Sequence, residues 1–181
     1  MISKKSTPQS INFARKSLDI SLKYYLDYLK KPNFENTSAM CLAANLSGKA
    51  ISISKTTAPH AISYPFTSLY NISHGHAVSL TLEKFLKFNF INYKKANCNF
   101  DLNLRYKSIF NIFGVRGIIE LENFFIEMKK KAKLEDNFQK LKINLNTNID
   151  RLINGINIRR LQNNPINLNK KDIKTILLKF N

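Results

Sequence analysis

All three histidines of the chain fall within a short region. KTTAPHAISYP at residues 55–65 contains His60, and SHGH at 73–76 contains His74 and His76. His74 follows His60 by fourteen residues. A helix, a turn and a returning helix can bring two imidazoles so spaced to one point, as two nitrogen ligands of Fe²⁺ or Zn²⁺. Two ligands do not complete a site. A closed zinc site takes four, and a catalytic one takes three and an open position. Tyr64 is four residues beyond His60 and shares its helix face. The spacing alone also fits ordinary hydrogen-bonded or surface histidines, and both readings stand at this point.

The elements that must carry these residues read as helices. Ser6-Thr7-Pro8 supplies a cap and an early proline, and Ile11, Ala14, Leu18, Leu22, Tyr25 and Leu29 follow at helical spacing up to Lys31-Pro32-Asn33. A second helix is expected over about 38–54, with Gly48 marking a close helix contact or a kink. Thr57 is expected to cap a helix that begins before His60 and ends near Tyr70, with Pro59 in its first turn and Pro65 either tolerated or kinking it. Asn71-Ile72-Ser73 reads as a turn. Ser73 is expected to cap a helix from His74 to about Asn89. Further helices are expected over 102–113, ended by Gly114, over 117–132 and over 146–156. Asn163-Asn164-Pro165 reads as a loop, and Asn169 as the cap of a last helix, with Asp172 at its third position. The fold class is all-α, one domain over residues 1–181, with no parallel βαβ pattern, GxGxxG or P-loop.

The formal charge is +17 from 29 basic and 12 acidic residues. Charge of that size raises the alternative of a basic helical nucleic-acid-binding module, but no DNA- or RNA-binding motif accompanies it. The excess is mostly Lys in a chain also rich in Asn, Ile and Phe, which is what AT-rich codons encode. The densest run, Lys129-Lys130-Lys131 with Lys133, reads as the solvated end of a helix. Cys41 and Cys98 form no CxxC pair and are expected to be free, buried thiols in a reducing compartment. No secretory signal or membrane span is visible, so a cytoplasmic location is expected.

KTTAPHAISYPFTSLYNISHGHAVSLTL resembles the signature of the iron-containing, or group III, alcohol dehydrogenases. That family has a histidine, a 13-residue interval and then a histidine followed by glycine, matched here by His60 and His74-Gly75. NLSGKAISIS at 45–54 resembles the small-residue helix before the motif. Arg160-Leu161-Gln162-Asn163-Asn164-Pro165 with the capped helix after it resembles the family's C-terminal end. Tyr-Pro and His-Gly-His are closest to members that reduce small aldehydes such as phosphonoacetaldehyde.

The resemblance implies the helical C-terminal domain of such an enzyme, within the dehydroquinate synthase-like superfamily. It implies His60 and His74 as ligands of Fe²⁺ or Zn²⁺, and Tyr64 and His76 as groups that contact substrate, support the metal ligands or line the cofactor cleft. Many members have a histidine where Tyr64 stands. The ion acts as a Lewis acid on a small alcohol or aldehyde, with hydride exchanged with NAD(P). The family's N-terminal α/β NAD(P)-binding domain is absent from this sequence, as are the glycine-rich loop and the Asp-x-x-x-His/Gln ligand pair. Asp19 and Asp27 do not fit that pair. The expectation is therefore either a truncated chain, inactive alone, or a split chain complemented by a separately encoded N-terminal chain, with the complete enzyme a homo-oligomer.

Overall fold

The structure, a computed structural model, describes residues 1–179. Among the described residues it holds ten α-helices and no strand, in agreement with the all-α expectation. They are α1 (Pro8–Lys30), α2 (Phe34–Ser54), α3 (Ala58–Tyr70), α4 (His74–Ser79), α5 (Leu82–Ile91), α6 (Leu102–Phe113), α7 (Ile118–Lys131), α8 (Leu145–Asn154), α9 (Ile158–Leu161) and α10 (Lys170–Lys179).

Side chains set most of the helix starts. The Thr7 hydroxyl accepts from the Ser10 amide at 3.2 Å and Ser10 Oγ accepts from the Thr7 amide at 2.9 Å, which satisfies two otherwise orphaned donors. Asn33 and Asn36 make the same reciprocal pair at 2.8 and 2.9 Å, so α2 starts at Phe34, four residues before the expected Ser38. Asn169 and Asp172 repeat it at the head of α10, as expected. Gly114 ends α6 with φ +64°, in the left-handed region that glycine enters without a Cβ penalty.

α1 and α2 form an antiparallel hairpin that meets through small residues. Ser17 donates to the Ala43 carbonyl at 2.7 Å, and Ala43 and Ala50 are buried beside it. Gly48 has open space around its Cα, so the close contact expected there lies at Ser17 and Ala43 instead. The apolar stripe of α1 is only partly covered: Leu18, Leu22 and Tyr25 line a cavity of about 230 Å³ against Phe124, Phe125 and Met128, and Leu29 is exposed.

The remaining helices enclose two apolar clusters. The larger gathers Ile62 and Phe66 of α3, Leu80, Phe85, Ile143, Leu152 of α8 and Leu177 of α10. The smaller centres on Tyr106 and Phe110 of α6 and Leu121 of α7. Burying side chains such as Phe66 and Phe85 contributes roughly 2–3 kcal/mol each. A pair of buried amides, Asn89 and Asn164, exchange hydrogen bonds at 2.9 and 3.2 Å and tie α5 to the loop after α9.

Two expectations about helix bounds are corrected. The helix expected from His74 to Asn89 is broken at Leu80-Thr81. Thr81 leaves helical geometry at φ −126° and its amide bonds Val78 at 3.3 Å, which re-aims the chain so that Leu80 and Phe85 both reach the core. The single turn of α9, Ile158–Leu161, falls between the helix expected over 146–156 and the loop expected at 163–165, where no helix was expected.

Candidate metal and substrate site

α3 and α4 position the histidines. α3 begins at Ala58-Pro59, where the missing proline N–H costs nothing. His60 is therefore its third residue and Tyr64 stands one turn on. Thr57 and Ser73 precede α3 and α4 as expected, but neither side chain caps; only their carbonyls bond, to Ala61 and Ala77. Pro65 lies in the interior of α3 and cannot donate to Ala61, yet the helix continues to Tyr70. Asn71 then reverses the chain with φ +53°, a conformation that Asn tolerates, and Ile72 plugs into the core. The turn between them swings His74 back over the first turns of α3.

The result is a cluster of three rings. His60 and His74 stand edge to face with centroids 5.5 Å apart, and Tyr64 lies 5.3 Å from His74. Buried Ser63 sits beneath them. Its hydroxyl donates to the His60 carbonyl at 2.8 Å and lies 3.2 Å from His74 Nδ1. With its one hydrogen used on the carbonyl, the hydroxyl accepts from Nδ1–H, which leaves the lone pair of His74 on Nε2. His60 borders an apolar cavity of about 430 Å³ lined by Ile51, Phe85 and Leu86. Burial, and then the nearby His74 and Arg160, lower the pKa of His60 below the ordinary imidazole value. His60 is thus neutral at pH 7, the form in which an imidazole binds a metal.

Arg160 of α9 completes the cluster. It donates to the Tyr64 hydroxyl and its Cζ stands 4.5 Å over the Tyr64 ring. His76 faces elsewhere: its Nε2 bonds the backbone carbonyl of Glu135, in the loop after α7. Asp19 and Asp27 are exposed on α1. Among the described residues no group of three His, Cys, Asp or Glu side chains converges as a metal site. The chain therefore offers two imidazole nitrogens of a kind that suits Fe²⁺ or Zn²⁺ as part of a larger ligand set.

Other readings are corrected by the structure. Lys129 is not part of a solvated end. It is buried and pairs with Glu83 at 2.9 Å and Asp136 at 3.3 Å. The cysteines are free but not buried: Cys41 is exposed and Cys98 half-buried. Sequence reasoning passed over Ser63, whose spacing of three from His60 was the available signal. It used Arg160 only as part of a terminal motif.

The profile of the Fe-containing alcohol dehydrogenase family, C-terminal part, matches residues 1–180. The chain belongs to that family. The phosphonoacetaldehyde reductase of Streptomyces viridochromogenes is 36% identical over 87 residues, covering 47% of this chain and 22% of that protein. Solved structures share the fold. The sulfoacetaldehyde reductase of Bifidobacterium kashiwanohense, in complex with NAD⁺, matches 99% of this chain with a TM-score of 0.85 at 24% identity. An archaeal alcohol dehydrogenase from a Red Sea brine pool matches 98% with a TM-score of 0.87 at 20% identity. This chain spans 45% and 46% of those two proteins. None of these likenesses favours the nucleic-acid alternative. No helix among the described residues is long and apolar enough to cross a membrane.

Proposed function

We propose that this chain supplies the metal- and substrate-binding half of a metal-dependent, NAD(P)-linked alcohol dehydrogenase or aldehyde reductase. The observation that carries the reading is the convergence of His60 and His74, 5.5 Å apart, in a chain of this family. Both would hold Fe²⁺ or Zn²⁺, His60 as a neutral imidazole and His74 through Nε2. When bound, the ion supplies Lewis acidity at the alcohol or aldehyde oxygen. Ser63 fixes the tautomer and orientation of His74. Tyr64 presents its hydroxyl to the substrate beside the imidazole pair. His76, although expected to be catalytic, holds α4 against the Glu135 loop and so positions His74 two residues away.

NAD(P) and the remaining ligands come from an α/β half, in the same polypeptide or a separate chain, and the completed enzyme is a homo-oligomer. With two unpaired thiols, the chain belongs in the cytoplasm.

The test is a Zn²⁺ titration followed by the ring signals of the three histidines. Zn²⁺ should shift His60 and His74 together and His76 little. His60→Ala or His74→Ala should remove the effect on the other ring. Unchanged Zn²⁺ binding by the double variant would sink the proposal. Joining the chain to a family α/β domain should yield NAD(P)H-dependent aldehyde reduction.

A further inference from the structure

A further cavity, of about 770 Å³, lies between α5, α7 and the loop that leads to α8, and none of the three histidines lines it. It is larger than the cavity beside His60 and is of the size that holds small molecules. Lys84 of α5 is buried in its wall, with Nζ standing 5.3 Å over the Phe138 ring. A second cation, Lys129 of α7, lines the same space. Two carboxylates, Glu83 and Asp136, line it as well. Glu83 is buried, and its Oε2 has no hydrogen-bond partner among the described residues. Asn144 and Asn146 bring exposed amides to the rim.

An ammonium in such a place loses hydration, and a neighbouring cation adds to the cost. Both favour the neutral amine, which is the nucleophilic form of lysine. Burial comes first in holding the Lys84 pKa below the ordinary lysine value. Glu83 opposes it, Lys129 adds to it, and Asp136 and Glu122 oppose it.

We propose that Lys84 is a covalent binding site for a small polar carbonyl compound, which enters this cavity and forms an imine with Nζ. The nitrogen lone pair adds to the carbonyl carbon, and the π electrons pass to oxygen to give a carbinolamine. The carbon–oxygen bond then breaks and the oxygen leaves as water, so one amine and one carbonyl give one imine and one water. Glu83 and Asp136 are the carboxylates on that wall able to take the proton from nitrogen and return it to the departing oxygen. The mixed polar wall favours a compound such as a 2-oxo acid over an alkyl chain. Lys84 acts so whether or not His60 and His74 hold a metal.

The experiment incubates the whole chain with pyruvate and cyanoborohydride near neutral pH, which reduces any imine to a stable amine. Digestion and mass spectrometry then map the labelled lysines. Lys84 should be labelled severalfold faster than exposed Lys130 and Lys140, and its rate should saturate with pyruvate. In urea that advantage should vanish, since it comes from the folded cavity. Lys84→Arg keeps the charge but lacks the amine, so it should lose the fast phase and keep the slow labelling elsewhere. The mapping on the parent chain is decisive even if that variant fails to fold. Native Lys84 labelled no faster than Lys130 and Lys140, a rate that rises without saturation, or an advantage that persists in urea would each overturn the proposal. Rapid acetylation of Lys84 by acetic anhydride with no pyruvate adduct would also overturn it, because the lysine would then be nucleophilic without a carbonyl site.

Discussion

One hydroxyl connects the two central histidines: Ser63 Oγ donates to the His60 carbonyl at 2.8 Å and accepts from His74 Nδ1 at 3.2 Å. It is fully buried, so water does not replace it when it is removed. Ser63→Ala should cost about 1–2 kcal/mol in urea unfolding, the range for a buried hydrogen bond left half-made. The more specific outcome is chemical. The His74 ring nitrogens should lose their fixed Nδ1–H pattern in ¹⁵N spectra, and Zn²⁺ affinity should fall roughly 10- to 100-fold, as when the partner orienting a ligand is lost. Retention of one tautomer in Ser63→Ala would show that Ser63 does not set it.

His60 predicts a pH dependence. Burial, then His74 and Arg160, hold its native pKa below the value of 6.5 that it has when unfolded. The native state thus binds fewer protons than the unfolded state in the window just under pH 6.5. Stability from this group is fully present above that pH and is lost as the pH falls toward the native pKa. In metal-free protein, urea midpoints should decline from pH 7 to pH 5. His60→Gln, which has no proton to gain there, should decline less. Parallel curves for the two proteins would contradict the assignment.

The fold was legible where a helix end announces itself in a side chain. Thr7-Pro8, Gly114 and Asn169 with Asp172 marked their helices because each solves a local problem of orphaned backbone groups. The α2 start was misplaced because Asn36, rather than Glu or Gln, closes the box with Asn33. The break at Thr81 was hidden because Ser79 to Phe85 keeps a helical pattern, and only the need to bury both Leu80 and Phe85 bends it. The candidate site was half legible. The spacing and turn allowed His60 and His74 to meet, and the family resemblance singled them out, whereas Ser63 and Arg160 are common residue types whose importance comes from what they touch. Lys129 was misread for the same reason: a lysine run says nothing of a glutamate 46 positions earlier.

Gly155 tests how α3 is seated. A Cβ at this position would lie 3.0 Å from Pro65 Cβ, in a rigid ring on the helix that carries His60 and Tyr64. Gly155→Ala gains about 0.4–1 kcal/mol by restricting the unfolded chain. The clash should outweigh that gain, because neither Pro65 nor the core around Phe66 can yield easily; overpacking costs about 1–3 kcal/mol. A net loss near 1 kcal/mol is expected, with shifts in the His60 and Tyr64 signals. A more stable variant with unmoved signals would mean that α3 gives way freely.

The pair formed by Lys129 and Glu83 tests a buried charge. Both side chains are 6% exposed and 2.9 Å apart, while Asp136, at 3.3 Å from Lys129, is 43% exposed. Breaking a buried pair strands one charge away from water and typically costs about 3–5 kcal/mol. Lys129→Met leaves the Glu83 carboxylate, whose Oε2 already has no hydrogen-bond partner among the described residues, so its cost should fall in that range. Glu83→Gln should cost less, because Lys129 keeps Asp136 and gains a neutral amide acceptor. The double variant Glu83→Gln with Lys129→Met should lose less than the sum of the two, since neither charge is then stranded. Urea unfolding with unchanged slopes reads all three. Additive losses would show that the two residues act separately, and a Lys129→Met loss under about 0.5 kcal/mol, the range of ordinary surface changes, would show that the charge was never desolvated.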